Sequence, residues 1–253
     1  MLVFDFDGVL IDSLDEVVAT SFNTATDRLI TKLADLDPRY RSSFRLNRFQ
    51  LGSAGDFSLL AEWCLDGLKA GAIDETTLLT PDELQQLRDG ASESNEERGE
   101  IYFKKRAQFI EHSPQGWLDI HQTYQPIWAV LQQLPSEKIL VVTNKNLEAV
   151  KTLTEHFGLK LKEENIYAAD AGRTKFENFK LLHEKYQPEV VTFLEDSIRN
   201  LHGLLKRELP FTLKPVLADW GYLGPDDKTF ADTLGIPTLS LAESERFIQR
   251  QLD

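Results

Sequence analysis

Met1-Leu2-Val3-Phe4-Asp5-Phe6-Asp7-Gly8-Val9-Leu10-Ile11-Asp12-Ser13 is the stretch on which the reading of the chain turns. A short apolar run ends in two carboxylates spaced i, i+2, and glycine follows at once. If residues 2–6 form a strand, Asp5 and Asp7 point to the same side of it. Both then sit where the strand ends, which is where open α/β sheets bind ligands. Paired carboxylates in that place can hold a hard cation and leave one oxygen to attack. The segment alone is equally compatible with a strand running into an Asp-Gly turn.

The rest of the chain supplies the setting. Residues 14–112 carry helical periodicity. Val17, Val18, Phe22, Ala25, Leu29, Ile30, Leu33 and Leu36 predict a helix over 16–36, which Asp37-Pro38 breaks. A second helix is expected over 56–70, closed by Gly71. Thr80-Pro81-Asp82-Glu83 is a helix start with an N-cap, Pro at the first position and Glu at the third. A further helix is expected over 93–112, and residues 113–116 (Ser-Pro-Gln-Gly) read as a loop. From there the texture alternates. Helices over 123–134, 147–157, 175–186 and 197–208 are separated by apolar strands over 138–143, 165–169 and 190–195. Weaker strands follow over 214–218 and 237–241. Strands separated by helices indicate a parallel sheet, and residues 2–6 need that sheet for partners. The fold class is therefore α/β: a Rossmann-like parallel-sheet core (1–13 and 114–253) interrupted by an all-helical insert (14–113).

Composition narrows the function classes. With 253 residues, 42% hydrophobic and 27% charged, the chain reads as an ordinary globular protein of one or two domains. No run approaches the ~20 apolar residues of a membrane helix, and no basic region precedes Leu2, so neither a membrane span nor a secretory leader is expected. The single cysteine, Cys64, lies among Leu59, Leu60, Trp63 and Leu65 and reads as a buried, inert thiol; the cytoplasm is the expected compartment. A net charge of −13 argues against a nucleic-acid partner. One local exception is Arg39, Arg41, Arg45 and Arg48, interleaved with Tyr40, Phe44 and Phe49. These read either as a solvated helix face or as an anion-recognising patch, with Arg45 and Arg48 the candidates for substrate contact.

The strand ends carry the chemistry. The first offers Asp5 and Asp7, the second Thr143-Asn144-Lys145, and the third leads to Lys175. The fourth offers Glu195-Asp196-Ser197. Carboxylates, a hydroxyl and an ammonium on one rigid rim suit phosphoryl chemistry, where catalysis is mostly positioning and charge stabilisation.

In this ordered set the sequence resembles the haloacid dehalogenase superfamily, in particular its phosphatase-like members with a helical cap inserted after the first motif. Asp5-Phe6-Asp7-Gly8-Val9 is similar to the first motif and Thr143-Asn144 to the second. Lys175, with Arg173 as the runner-up, is similar to the third, and Glu195-Asp196-Ser197 to the fourth. The resemblance implies a cap that closes over the core and selects the leaving group. It implies Asp5 as nucleophile, forming an aspartyl-phosphate, and Asp7 as general acid and then base. Asp5, Asp196 and the Asp7 carbonyl would hold Mg²⁺, Thr143 and Asn144 would bind the phosphoryl group, and Lys175 would neutralise charge. Glu195 would be either an outer metal ligand or a carboxylate favoured at a helix N-terminus. Where the fourth motif often carries a further carboxylate about four residues on, this chain has Asn200, and its third motif lacks the usual Pro. Dehalogenating and phosphonate-cleaving members lack an aspartate at the position of Asp7, so the resemblance implies Mg²⁺-dependent hydrolysis of a small phosphorylated metabolite. A phosphomutase using the same intermediate, or a non-catalytic binding protein on the same fold, are the alternatives.

Overall fold

The computed structural model describes residues 1–252. Its strands are β1 (Leu2–Phe4), β2 (Ile11–Asp12), β3 (Gln122–Thr123), β4 (Val141–Val142), β5 (Ile166–Tyr167), β6 (Val190–Glu195), β7 (Thr212–Ala218) and β8 (Thr238–Leu239). Six of them form one sheet in the order β5-β4-β1-β6-β7-β8, with every pairing parallel. β1 lies inside the sheet because Leu2, Val3 and Phe4 are all apolar and all buried, the pattern of a strand covered on both faces. From β1 the sheet grows outward in both directions, through β4 and β5 on one side and β6, β7 and β8 on the other. That reversal makes the carboxyl end of β1 the topological switch point, where a ligand crevice is expected.

The helices are α1 (Leu14–Thr26), α2 (Pro38–Asn47), α3 (Phe57–Ala70), α4 (Pro81–Gly90), α5 (Asn95–His112), α6 (Pro114–Asp119), α7 (Gln125–Gln132), α8 (Leu147–His156), α9 (Lys175–Tyr186), α10 (Ile198–Leu205), α11 (Asp227–Thr233) and α12 (Leu241–Leu252). The chain forms two compact units. One is Met1–Asp12 with Gln122–Asp253, and the other is Ser13–His121. In the sheet unit, Val3, Val191, Phe193 and Leu217 face α9, α10 and α11 through Phe179, Leu182, Ile198, Leu201, Leu204 and Ala231. Phe179 meets Phe193 edge-on at 4.9 Å between ring centroids. Strand alternation turns Thr192 to the other face, where its hydroxyl donates to Gln251 of α12 at 3.2 Å, and α12 packs on α7. Helices therefore cover both faces of the sheet.

Pro215 sits inside β7 without cost to the ladder. The amides of Thr212 and Leu217 point to opposite neighbours, bonding Glu189 and Pro237. Residue 215 therefore presents its nitrogen on the β8 side. β8 pairs only with Leu217 and Ala218, so no bond is lost there.

The helical unit has its own core. Tyr40 lies between Phe22 and Phe44, at 5.4 and 6.0 Å, and its hydroxyl donates to the Val18 carbonyl. α4, α5 and α9 all begin with capping boxes, at Thr80/Glu83, Ser94/Glu97 and Thr174/Glu177. Cys64 is buried beside Ser43, and burial pushes its thiol up to about 12, as an inert thiol requires. Among the described residues, no helix is long and apolar enough to cross a membrane.

Five expectations are corrected. The helix expected over 16–36 ends at Thr26, because Asp27 turns left-handed (φ 51°) and the Asn23 side chain brackets the Ile30 backbone at 2.9 and 2.7 Å. Ile30 and Leu36 are buried, but from loop backbone, Leu36 directly after a 3₁₀ turn. Residues 113–116 open helix α6, since Pro114 at the first position fits a helix start and Trp117 is buried. α6 belongs to the helical unit, so that unit runs beyond residue 113. Residues 122–123 are not helical: they pair antiparallel with β2, Ile11 with Thr123 and Asp12 with Gln122, where the chain leaves the sheet unit and returns. Finally, α11 and α12 occupy a stretch for which the sequence reading gave only weak strands.

Phe193 is fully buried at the centre of the sheet. Phe193→Ala should cost about 3–5 kcal/mol of stability, measurable by urea denaturation. A loss below about 1 kcal/mol would contradict this packing.

Candidate active site

Asp5 follows β1 directly, and its N–H still donates to the Leu194 carbonyl of β6 at 2.8 Å. The ladder thereby fixes the backbone from which the carboxylate projects. The side chain is buried. Its Oδ2 lies 2.8 Å from Lys175 Nζ, while Oδ1 is buried with no hydrogen-bond partner. A buried carboxylate oxygen without a donor is costly unless something else meets it.

Lys175 is the first residue of α9, locked there by the Thr174/Glu177 capping box. The resemblance implies a Pro near this Lys; here the residue before it is the cap Thr174. The Lys175 ammonium bridges Asp5 and Glu195, the last residue of β6. The other Glu195 oxygen accepts from the Ser197 amide at 3.0 Å and from Asn200 Nδ2 at 3.2 Å. Asn200 therefore supplies a donor to Glu195, where a carboxylate would have repelled it.

Asp5, Glu195 and Asp196 form one buried cluster, with an oxygen from each lying within 4.8 Å of the others. Asp196 is gripped by backbone. The Tyr222 amide donates to its Oδ2 at 2.8 Å. A Cβ on Gly8 would come 2.1 Å from that oxygen, and a Cβ on Gly221 would come 2.3 Å from the Asp196 Cβ. Gly8 also has φ +81°, a conformation suited to glycine, as the chain turns back after β1. The sequence reading had noted Gly8 but not Gly221 or Tyr222, which follow β7 without a recognisable motif.

Asp7 stands apart from this cluster. Its carboxylate pairs with Lys145 Nζ at 2.9 Å. Thr143 is buried after β4, and its hydroxyl accepts from the Lys145 amide at 3.1 Å, while Asn144 is exposed on the same loop. Arg173 bonds Asn178 and leaves Lys175 as the cation on Asp5. Arg45 and Arg48 lie in the helical unit. Arg45 pairs with Asp15 at 2.7 Å. Arg48 donates to the Leu51 carbonyl at 2.9 Å and covers the Phe57 ring at 4.6 Å.

Burial, and next the charge of Glu195, push the Asp5 carboxyl up to about 7, against the pull of Lys175. Burial also raises Glu195, again opposed by Lys175. Burial alone would lower Lys175, but the facing charges of Asp5 and Glu195 reverse that and hold it above its ordinary range. One fixed ammonium thus serves two buried carboxylates, and Asp196 adds a third. Oxygen-only donors, three clustered carboxylates and an orphaned carboxylate oxygen together fit a hard divalent cation.

A family model described as haloacid dehalogenase-like hydrolase matches residues 1–206. Comparison with curated proteins gives no match. Among solved structures, a predicted phosphatase from Clostridium acetobutylicum is similar, with TM-score 0.56 and 17% identity over 98% of this chain and 97% of that one. A predicted phosphoglycolate phosphatase from Haemophilus somnus is similar with TM-score 0.56 and 15% identity, over 98% and 97%. A conserved haloacid dehalogenase-like protein of unknown function from Agrobacterium tumefaciens has TM-score 0.55 and 15% identity, over 100% and 98%. At these identities the likeness speaks for the fold.

The raised Asp5 carboxyl makes stability depend on pH in metal-free protein. The folded state favours the protonated form, so this contribution is fully present below the unfolded pKa near 4. It is lost as pH rises toward about 7. Asp5→Asn removes the penalty. With chelator present it should raise the melting temperature more at pH 8 than at pH 5, by roughly 2–4 °C per kcal/mol relieved. Scanning calorimetry at both values checks this; an equal effect at the two would contradict the burial assigned to Asp5.

Proposed function

The chain belongs to the haloacid dehalogenase-like hydrolase family, and we propose that its reaction is Mg²⁺-dependent hydrolysis of a small phosphate monoester. The observation that carries this is the orphaned Oδ1 of Asp5, buried beside Glu195 and Asp196, with the Lys175 ammonium shared between Asp5 and Glu195. Asp5, Asp196 and the backbone carbonyl of Asp7 would hold the cation. When bound, it offsets the burial and the Glu195 charge that raise the Asp5 carboxyl, and lets an anionic carboxylate approach an anionic phosphate. Glu195 has one oxygen on Lys175 and the other on Ser197 and Asn200, which favours a role as anchor of Lys175 over cation ligand.

A carboxylate oxygen of Asp5 attacks phosphorus as the ester P–O bond breaks, and Asp7 passes its proton to the leaving alkoxide. Asp7 then takes a proton from water as that water attacks the aspartyl-phosphate. The Asp5–phosphorus bond breaks, releasing phosphate and restoring the carboxylate. Thr143 and the Asn144 loop would receive the phosphoryl oxygens, and Lys175 offsets their charge. The single buried Cys64, which permits no intrachain disulfide, supports a cytoplasmic setting.

The test is phosphate release from a panel of small phosphate esters, with and without Mg²⁺. Wild type should release phosphate only with the metal, and Asp5→Asn should lose at least about a thousandfold in rate. Recovery of the phosphoryl group at another position of a hexose phosphate would instead support the mutase. Absence of both turnover and metal binding would leave a binding protein.

A further inference from the structure

Lys145 has no part in the chemistry set out above, yet it is built into the site. Its side chain is 4% exposed, while that of its partner Asp7 is 28% exposed. Burying an ammonium is costly unless a carboxylate meets it, and the Asp7 carboxylate does so at 2.9 Å. The lysine backbone is held on both sides. Its amide donates to Thr143 Oγ1 at 3.1 Å, and its carbonyl accepts from the Ala169 amide at 3.3 Å. Asp7 sits on the turn before Gly8, where an aspartate side chain has several staggered rotamers. The buried ammonium meets one of them at 2.9 Å, with the carboxylate still reaching solvent.

We propose that Lys145 is a positioning residue for Asp7, holding its carboxylate where it meets the leaving oxygen. The assignment rests on the phosphatase reading. It differs from a role in binding phosphate, because Lys145 is buried and already spends its charge on Asp7. It also differs from a purely structural role, because its effect must depend on whether the leaving group needs a proton. An alkyl phosphate expels an alkoxide that requires one, whereas p-nitrophenyl phosphate expels a phenolate that does not.

The experiment compares kcat/KM of the full chain with Mg²⁺ on p-nitrophenyl phosphate and on one alkyl ester. That ester is glycerol 3-phosphate, glucose 6-phosphate or ethyl phosphate, whichever wild type turns over fastest. Because kcat/KM reports the steps up to loss of the leaving group, Lys145→Met should lower it about 100-fold on the alkyl ester. The loss on p-nitrophenyl phosphate should be less than about 3-fold by the same logic. A burst of nitrophenolate should appear, since the second step still needs Asp7. Asp7→Asn should show the same selectivity, the double variant should be no worse than Asp7→Asn, and Lys145→Arg should restore most of the alkyl activity. Lys145→Gln replaces the methionine variant if the latter does not fold. Equal losses on both esters, or no loss on the alkyl ester, in an active enzyme overturn the role of Lys145 alone. A wild type that hydrolyses no ester removes the phosphatase reading, and this assignment falls with it.

Discussion

The Lys175 ammonium, shared between Asp5 and Glu195, is the contact on which the site depends. Three carboxylates are buried at the ends of β1 and β6, and two of them share that one ammonium. Such an arrangement survives only where the backbone over-determines it. Here the β1–β6 ladder fixes Asp5, a capping box fixes Lys175, and two glycines with the Tyr222 amide fix Asp196. The crowding of buried carboxylates is the feature on which the proposed chemistry rests, and the fold supplies the rigidity that keeps it in place.

The lysines divide the carboxylates between them. Lys175 serves Asp5 and Glu195, whereas Lys145 serves Asp7. Two carboxylates only two residues apart are thus given different environments, one buried among like charges and one half-open and paired. Separation of this kind allows neighbouring acids to take different tasks, nucleophile and proton carrier. The loop after β7 adds a further tie within the sheet unit. Trp220 donates to the Val9 carbonyl at 3.0 Å, and Tyr222 reaches Asp12 through its hydroxyl at 3.3 Å. The residue that grips Asp196 therefore also touches the strand by which the chain leaves the sheet.

Much of this was legible in the sequence where local signals were strong. The strand read over 190–195 and the helix read over 175–186 have the bounds of β6 and α9. The approach of Asp5, Lys175, Glu195 and Asp196 followed from where the strands end. Three things were not legible, each because tertiary structure decides it. The end of α1 depends on Asn23 bonding a residue seven positions on. The β2–β3 pair joins segments more than a hundred residues apart. Gly221 matters only because it packs on Asp196 and on the Gly8 carbonyl. Lys145 was visible beside Thr143, but nothing in the one-dimensional pattern says that it folds onto Asp7.

A crystal structure of the protein soaked with Mg²⁺ and beryllofluoride tests the central claim most directly. The account predicts the fluoride complex bonded to the Asp5 carboxylate, with Mg²⁺ touching Asp5, Asp196 and the Asp7 carbonyl, and Lys175 still on Glu195. Beryllofluoride on a different side chain, or Mg²⁺ held by carboxylates outside this cluster, would contradict it.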